Sequence, residues 1–131
     1  MKYTFKKDER LCSKLLINKL FTEGESFLVY PFKVVCLNIP RTGSIAAQIL
    51  ISVSKRNFKS APHRNKIKRH IREAYRKNKH IIWDDYKDKP NDQLLAGFVY
   101  IGKSIATSKE VDQKLILILQ RLIEMDVKNT R

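Results

Sequence analysis

The chain reads as an α+β (or α/β) domain, a single β-sheet with helices packed on it, and three observations predict this. Residues 46–54 and Leu94–Ile101 are short apolar runs of strand length. Residues 11–23, 60–78 and 107–122 instead repeat apolar residues at helical spacing. The elements run helix, strands, basic helix, strand, helix, which a sheet layered with helices satisfies. At 131 residues the chain is long enough for one substantial core and not for two, so residues 1–131 are expected to form one domain.

Met1 to Arg10 is a polar arm with Tyr3 and Phe5 embedded in it. Leu11 to Glu23 then has helical periodicity, clustering Leu16, Ile17, Leu20 and Phe21, with Ser13 suited to cap its start and Gly24 its end. From Phe27 to Ile39 the pattern alternates after Pro31. Phe32, Val34 and Cys36 share one face, and Lys33, Val35 and Leu37 the other, as in a strand. Pro40-Arg41-Thr42-Gly43 has turn chemistry. Ala46 to Ser54 is a further strand whose polar exit, Ser52, Ser54, Lys55 and Arg56, leads into the basic segment. Phe58, in the loop between them, is open to packing or to stacking on a base. Trp83 to Asp92 reads as a charged, Pro-containing connector, and Leu94 to Ile101 as a buried strand. Thr107 and Glu110 have capping-box spacing at the head of an apolar helix through Val111, Leu115, Ile118, Leu119 and Leu122. Residues 127–131 are expected to be a frayed basic tail.

Lys55 to His80 carries the chemistry. It holds eleven Lys and Arg, one acid (Glu73) and all three histidines, and so supplies ten of the chain's +14 formal charges. Like charge at this density repels itself, and the usual compensation is a polyanion. Ser60 is a suitable N-cap, and Pro62 is tolerated only in a first turn. At about 100° per residue, Ile67, Ile71, Ala74, Tyr75 and Asn78 fall on one side. Arg64, Asn65, Lys68, Arg69, Arg72 and Arg76 fall on a neighbouring arc roughly 140° wide. One face therefore packs while the next presents a cationic ridge. The bland alternative is a solvated basic face. Arg outnumbers Lys on the ridge and interspersed acids are missing, which favours nucleic acid.

At these residues the chain resembles the bacterial ribonuclease P protein subunit. Arg64-Asn65-x-Ile67-Lys68-Arg69-x-Ile71-Arg72-Glu73-Ala74-Tyr75, preceded by Ile51-Ser52-Val53-Ser54-Lys55-Arg56, is similar to that family's signature. The family's Arg-Asn-Arg stands here as Arg64-Asn65-Lys66, which keeps the charge and loses a planar fork. Ser60-Ala61-Pro62-His63 also departs from the family's residues before the motif. Leu11, Phe21, Gly24 and Ser26-Phe27 resemble its first helix and the turn after it. The resemblance implies an α/β sandwich, about four strands and three helices in the order αβββαβα, with an unusual left-handed βαβ crossover. The right-handed form is the general default.

The resemblance also implies partners: the RNA subunit of ribonuclease P, bound by the ridge (Lys66 included), and precursor tRNA. The unpaired 5′ leader of that tRNA would lie in a cleft with Ile17, Phe21, Ser52, Ser54, Lys55 and Arg56. Ile17 and Phe21 match wall positions of that cleft. Ile17 reads slightly more as a core residue, while Phe21 is equally open to either role, because bases can stack on an aromatic face. Hydrolysis, and the Mg2+ it needs, would belong to the RNA, so this chain is expected to bind no cofactor or metal and to hold no catalytic residue.

Other classes are weighed against this. A general, ribosomal-like RNA-binding protein has the same charge balance. A protein-only nuclease would use Asp84, Asp85 and Asp88, but nuclease carboxylates converge from rigid elements onto two ions about 4 Å apart. Acids on one polar stretch are more often solvated. Cys12 and Cys36 lack zinc spacing and read as packing residues of a reducing cytosol. The start of the chain has no apolar signal region, and no apolar run approaches 18 residues. A cytoplasmic protein is expected, with no membrane or protein partner indicated.

Overall fold

Ser13 Oγ accepts the N–H of Leu16 at 3.3 Å and starts helix α1 (Lys14–Glu23). In the computed structural model, which describes residues 4–130, Gly24 closes this helix. Its N–H donates to the Leu20 carbonyl at 2.9 Å. A Cβ there would press on the Leu20 carbonyl oxygen and lie 2.8 Å from that of Cys36, so only glycine lets the chain turn this close to the sheet. Strands β1 (Glu25–Val29) and β2 (Phe32–Pro40) come next as an antiparallel hairpin, then β3 (Ala47–Val53). Helix α2 (Ala61–Asn78) and the short α3 (His80–Asp85) cross to β4 (Asp92–Tyr100), which lies between β2 and β3. β4 is antiparallel to β2 and parallel to β3. Helix α4 (Ser108–Glu124) closes the described fold, with Thr107 Oγ1 accepting the N–H of Glu110 at 3.2 Å.

The α+β class, the four-stranded sheet and the strand–helix order stand as expected, with α3 added. The sheet is covered unequally. On one face Phe32, Val34, Cys36, Ile49, Ala96 and Phe98 meet the buried sides of α2, α3 and α4. The other face has only α1 over it, with Leu11 and Leu20 packed on Val35, Leu37 and Leu95. β4 is central and buried on both faces, which is why its sequence is a continuous apolar run.

Three segments differ from expectation. The stretch expected as a connector is helical: α3 runs into a 3-10 turn over Tyr86–Asp88. Ile82 and Tyr86, four apart, are both buried and anchor it to the core. The expected frayed tail is docked over its described residues, because Val127 is buried and Asn38 holds the residues after it. The Asn38 N–H donates to the Lys128 carbonyl and the Asn38 carbonyl accepts from Thr130, while its side chain accepts from the Tyr86 hydroxyl at 2.5 Å. Finally, the polar N-terminal arm is built into the molecule. Glu9 and Lys79 form a buried ion pair at 2.6 Å, with Lys79 Nζ 4.7 Å from the Trp83 ring. Tyr3 lies outside the described residues.

Candidate nucleic-acid interface

The packed side of α2 is formed by Ile67, Ile71, Ala74 and Tyr75, all buried. Pro62 sits in the first turn, and Ser60 is the N-cap residue although its hydroxyl makes no capping bond. Asn65, Lys66, Arg69 and Arg72 are exposed, and Lys68 is half-buried at the helix flank. Among the described residues, none of these four cations forms an ion pair.

The two ends of the ridge are occupied differently. Arg64 turns back along its helix, its Nη1 donating to the carbonyls of Phe58 at 2.7 Å and Lys59 at 2.9 Å. It clamps the β3–α2 loop, so much of its donor set serves that loop. Arg76 Nη2 bonds Glu73 at 2.8 Å, and this hydrogen bond holds the Glu73 carboxyl below its ordinary range. The dense, unpaired part of the ridge therefore spans Asn65 to Arg72. Phe58 is buried against Tyr100, with ring centroids 6.1 Å apart, and so is a packing residue.

The open face of the sheet forms the second surface. Register aligns Leu28, Lys33, Val99 and Ser52 in one row, and Ser26, Val35, Gly97 and Leu50 in the next. α1 stands over the second row. Ile17 is half-buried against the apolar cluster beneath it, whereas Phe21 keeps 49 % of its surface exposed. A Cβ on Gly97 would be 3.8 Å from Phe21 Cζ, so this ring lies over the bare backbone of β4. The result is a trough with an aromatic wall, a floor of Gly97 and Val99, and Lys33 and Ser52 along it. Ser54 Oγ accepts the Arg56 N–H at 3.2 Å and turns the chain, leaving Lys55 and Arg56 exposed at the β3 end of the trough.

Ridge and trough thus lie on opposite faces of the sheet and meet at the exit of β3. Lys33, Gly97 and Leu28 were not singled out by the sequence pattern. The available signals were a lone Lys among outward strand positions and a Gly inside an apolar run.

Asp84 pairs with Lys87 at 3.2 Å and Asp85 with Lys89 at 3.1 Å, while Asp88 is exposed. Among the described residues no three of His, Cys, Asp and Glu converge on a common point. Cys36 is wholly buried and its thiol is pushed up to about 12, by burial first and by the Glu25 charge second, while Cys12 is exposed. No helix among the described residues is long and apolar enough to cross a membrane.

With this geometry in place, comparison with known proteins is specific. Residues 5–122 match the family model described as Ribonuclease P. A "Ribonuclease P protein component" from Porphyromonas gingivalis is 34% identical over 116 residues, spanning 88% of this chain and 84% of the relative. One from Chlorobium phaeobacteroides is 35% identical over 127 residues, spanning 92% and 86%. Among solved structures, the RNase P protein from Thermotoga maritima superposes with a TM-score of 0.64 at 26% identity, over 86% of this chain and 96% of that one. A Staphylococcus aureus RNase P protein, 23% identical, shares the fold with a TM-score of 0.64 over 87% and 94%.

Proposed function

The chain belongs to the ribonuclease P family, and from that premise we propose that it is the protein subunit of the ribonucleoprotein that removes the 5′ leader from precursor tRNA. Ridge residues Asn65, Lys66, Lys68, Arg69 and Arg72 dock on the RNA subunit, with Arg64 and Arg76 at their flanks. Ile17, Phe21, Ser52, Ser54, Lys55 and Arg56 line the trough that takes the unpaired leader, and Lys33 adds a charge to its floor. Phosphodiester hydrolysis, with its Mg2+, is the RNA's work. The protein positions substrate in the cytoplasm and contributes no ligand to the metal.

One observation carries this reading: an unpaired cationic ridge and an aromatic-walled trough occupy opposite faces of one thin sheet. A protein so built holds two RNA segments at once. The ridge supplies phosphate contacts, which position without reading sequence. The trough supplies a stacking surface and a lysine, as proteins that hold single strands require.

The test is reconstitution with ribonuclease P RNA and precursor tRNA. The protein should raise cleavage and lower the Mg2+ requirement. Replacing Lys68, Arg69 or Arg72 by Ala should reduce the log–log salt slope of RNA affinity by roughly 0.7–0.9 per lost phosphate contact. An unchanged slope in all three folded variants refutes the ridge as the docking surface. Equal affinity for ribonuclease P RNA and unrelated structured RNA would leave only a general RNA-binding protein.

A further inference from the structure

A cavity of about 170 Å³ lies beside the ridge, between the N-terminal arm, the outer edge of β3 and α2. Phe5 and Leu11 of the arm, Ile49 and Ile51 of β3, and Lys68 and Arg72 of α2 form its walls. Arg10 and Cys12 also line it, and none of its residues is an acid. The nearest acid on the arm, Glu9, is committed to Lys79. Arg10, Lys68 and Arg72 form no ion pair among the described residues.

The walls restrict what fits. Phe5 is held edge-on to Tyr75 at 5.3 Å, so its ring is fixed. The arm pairs with β3 at one point, where the Leu11 N–H donates to the Ile49 carbonyl at 2.9 Å. Strand alternation turns the N–H and C=O of Ile51 to the same side as those of Ile49. They have no backbone partner there among the described residues. The site therefore offers an apolar slot, one adjacent donor–acceptor pair and three cations at its mouth. Its volume is well under the roughly 300–1,000 Å³ of sites for drug-sized ligands. That suits one planar ring. A bare anion would gain nothing from the apolar walls.

We infer that this cavity takes a single unstacked base of the RNA subunit, its edge on the Ile51 backbone and its flanking phosphates on Arg10, Lys68 and Arg72. The inference rests on the proposed function, and it converts part of the ridge from a phosphate contact into a base-holding site. Lys68 and Arg72, one turn apart on the same side of α2, then hold the RNA backbone around the slot.

Cys12 gives the test, since the other cysteine is buried. The full chain is alkylated with N-ethylmaleimide, which plugs the mouth without removing charge, and Cys12→Ser serves as the unplugged control. The RNA subunit should slow Cys12 alkylation. The plugged protein, shown to be folded by circular dichroism, should bind the RNA about 5- to 150-fold more weakly, the equivalent of one stacked base at about 1–3 kcal/mol, with an unchanged salt slope. Equal alkylation rates with and without RNA, or equal affinity of plugged and control proteins, overturns the inference. So does a loss of affinity accompanied by a reduced slope, which means phosphates alone. Protection by precursor tRNA only, or by an acidic peptide only, assigns the slot elsewhere. If the unmodified protein does not bind ribonuclease P RNA at all, the functional reading fails instead.

Discussion

Phe21→Ala tests the trough directly. The side chain is 49 % exposed, so its removal should spare the fold. Burying a whole Phe is worth about 1.5–3 kcal/mol, so roughly half of that, about 1–1.5 kcal/mol, is the expected stability loss. A fully packed Phe would instead cost about 3–5 kcal/mol. The binding effect is separate. If one leader base stacks on the ring, about 1–3 kcal/mol is lost, or about 5- to 150-fold in affinity for precursor tRNA. Mature tRNA has no leader, so its affinity should stay within about twofold. The assay is equilibrium binding of both tRNAs to the reconstituted holoenzyme, alongside urea unfolding of the free protein. Equal weakening for both tRNAs, or none for either, refutes leader stacking on Phe21. A stability loss above about 3 kcal/mol would place the ring in the core.

Two further outcomes concern the scaffold. Lys79→Met leaves Glu9 buried without its partner and should cost about 3–5 kcal/mol, whereas Glu9→Leu combined with Lys79→Met should recover most of it. Thermal unfolding reads this as a fall of about 10–20 °C for the single variant, and a fall under about 3 °C would show that the pair contributes little. Gly24→Ala forces a Cβ against two backbone carbonyls, which cannot swing aside as side chains do. It should destabilise by about 1–3 kcal/mol and tilt α1 over the trough. A urea midpoint equal to wild type would mean that the α1–β1 corner has slack.

Much of this architecture was legible because local and global signals agree. The β4 run is apolar throughout because the strand is central, and Ser13 and Thr107 cap the helices that begin just after them. α2 shows its packed and charged sides in a single helical period. Illegible features depend on partners distant in sequence. Nothing in the local pattern says that Glu9 meets Lys79, or that Asn38 captures residues past Val127. α3 was hidden because its anchors, Ile82 and Tyr86, straddle the acidic Asp84-Asp85. Periodicity placed Arg64 on the ridge, but angle alone does not decide between solvent and the carbonyls of Phe58 and Lys59. Lys33, Val99 and Ser52 form a row only once strand register is known. Phe21 stood open between wall and core, and its 49 % exposure takes it out of the fully packed core.

The short contacts at the two flanks of the sheet have a consequence for solubility. β3 is an outer strand, and β1 covers only part of β2, ending opposite Cys36. Each uncovered border is a template on which another molecule's strand can add, the common origin of β-aggregation. The arm occupies the first border at Ile49, and residues 128–130 occupy the second at Asn38. The two ends of the described chain thus serve as guards, each blocking a border with one or two hydrogen bonds. For a protein that carries +14 and must persist until it meets RNA, charge repulsion keeps molecules apart at long range. Once that charge is neutralised, the guards still occupy these borders at Ile49 and Asn38.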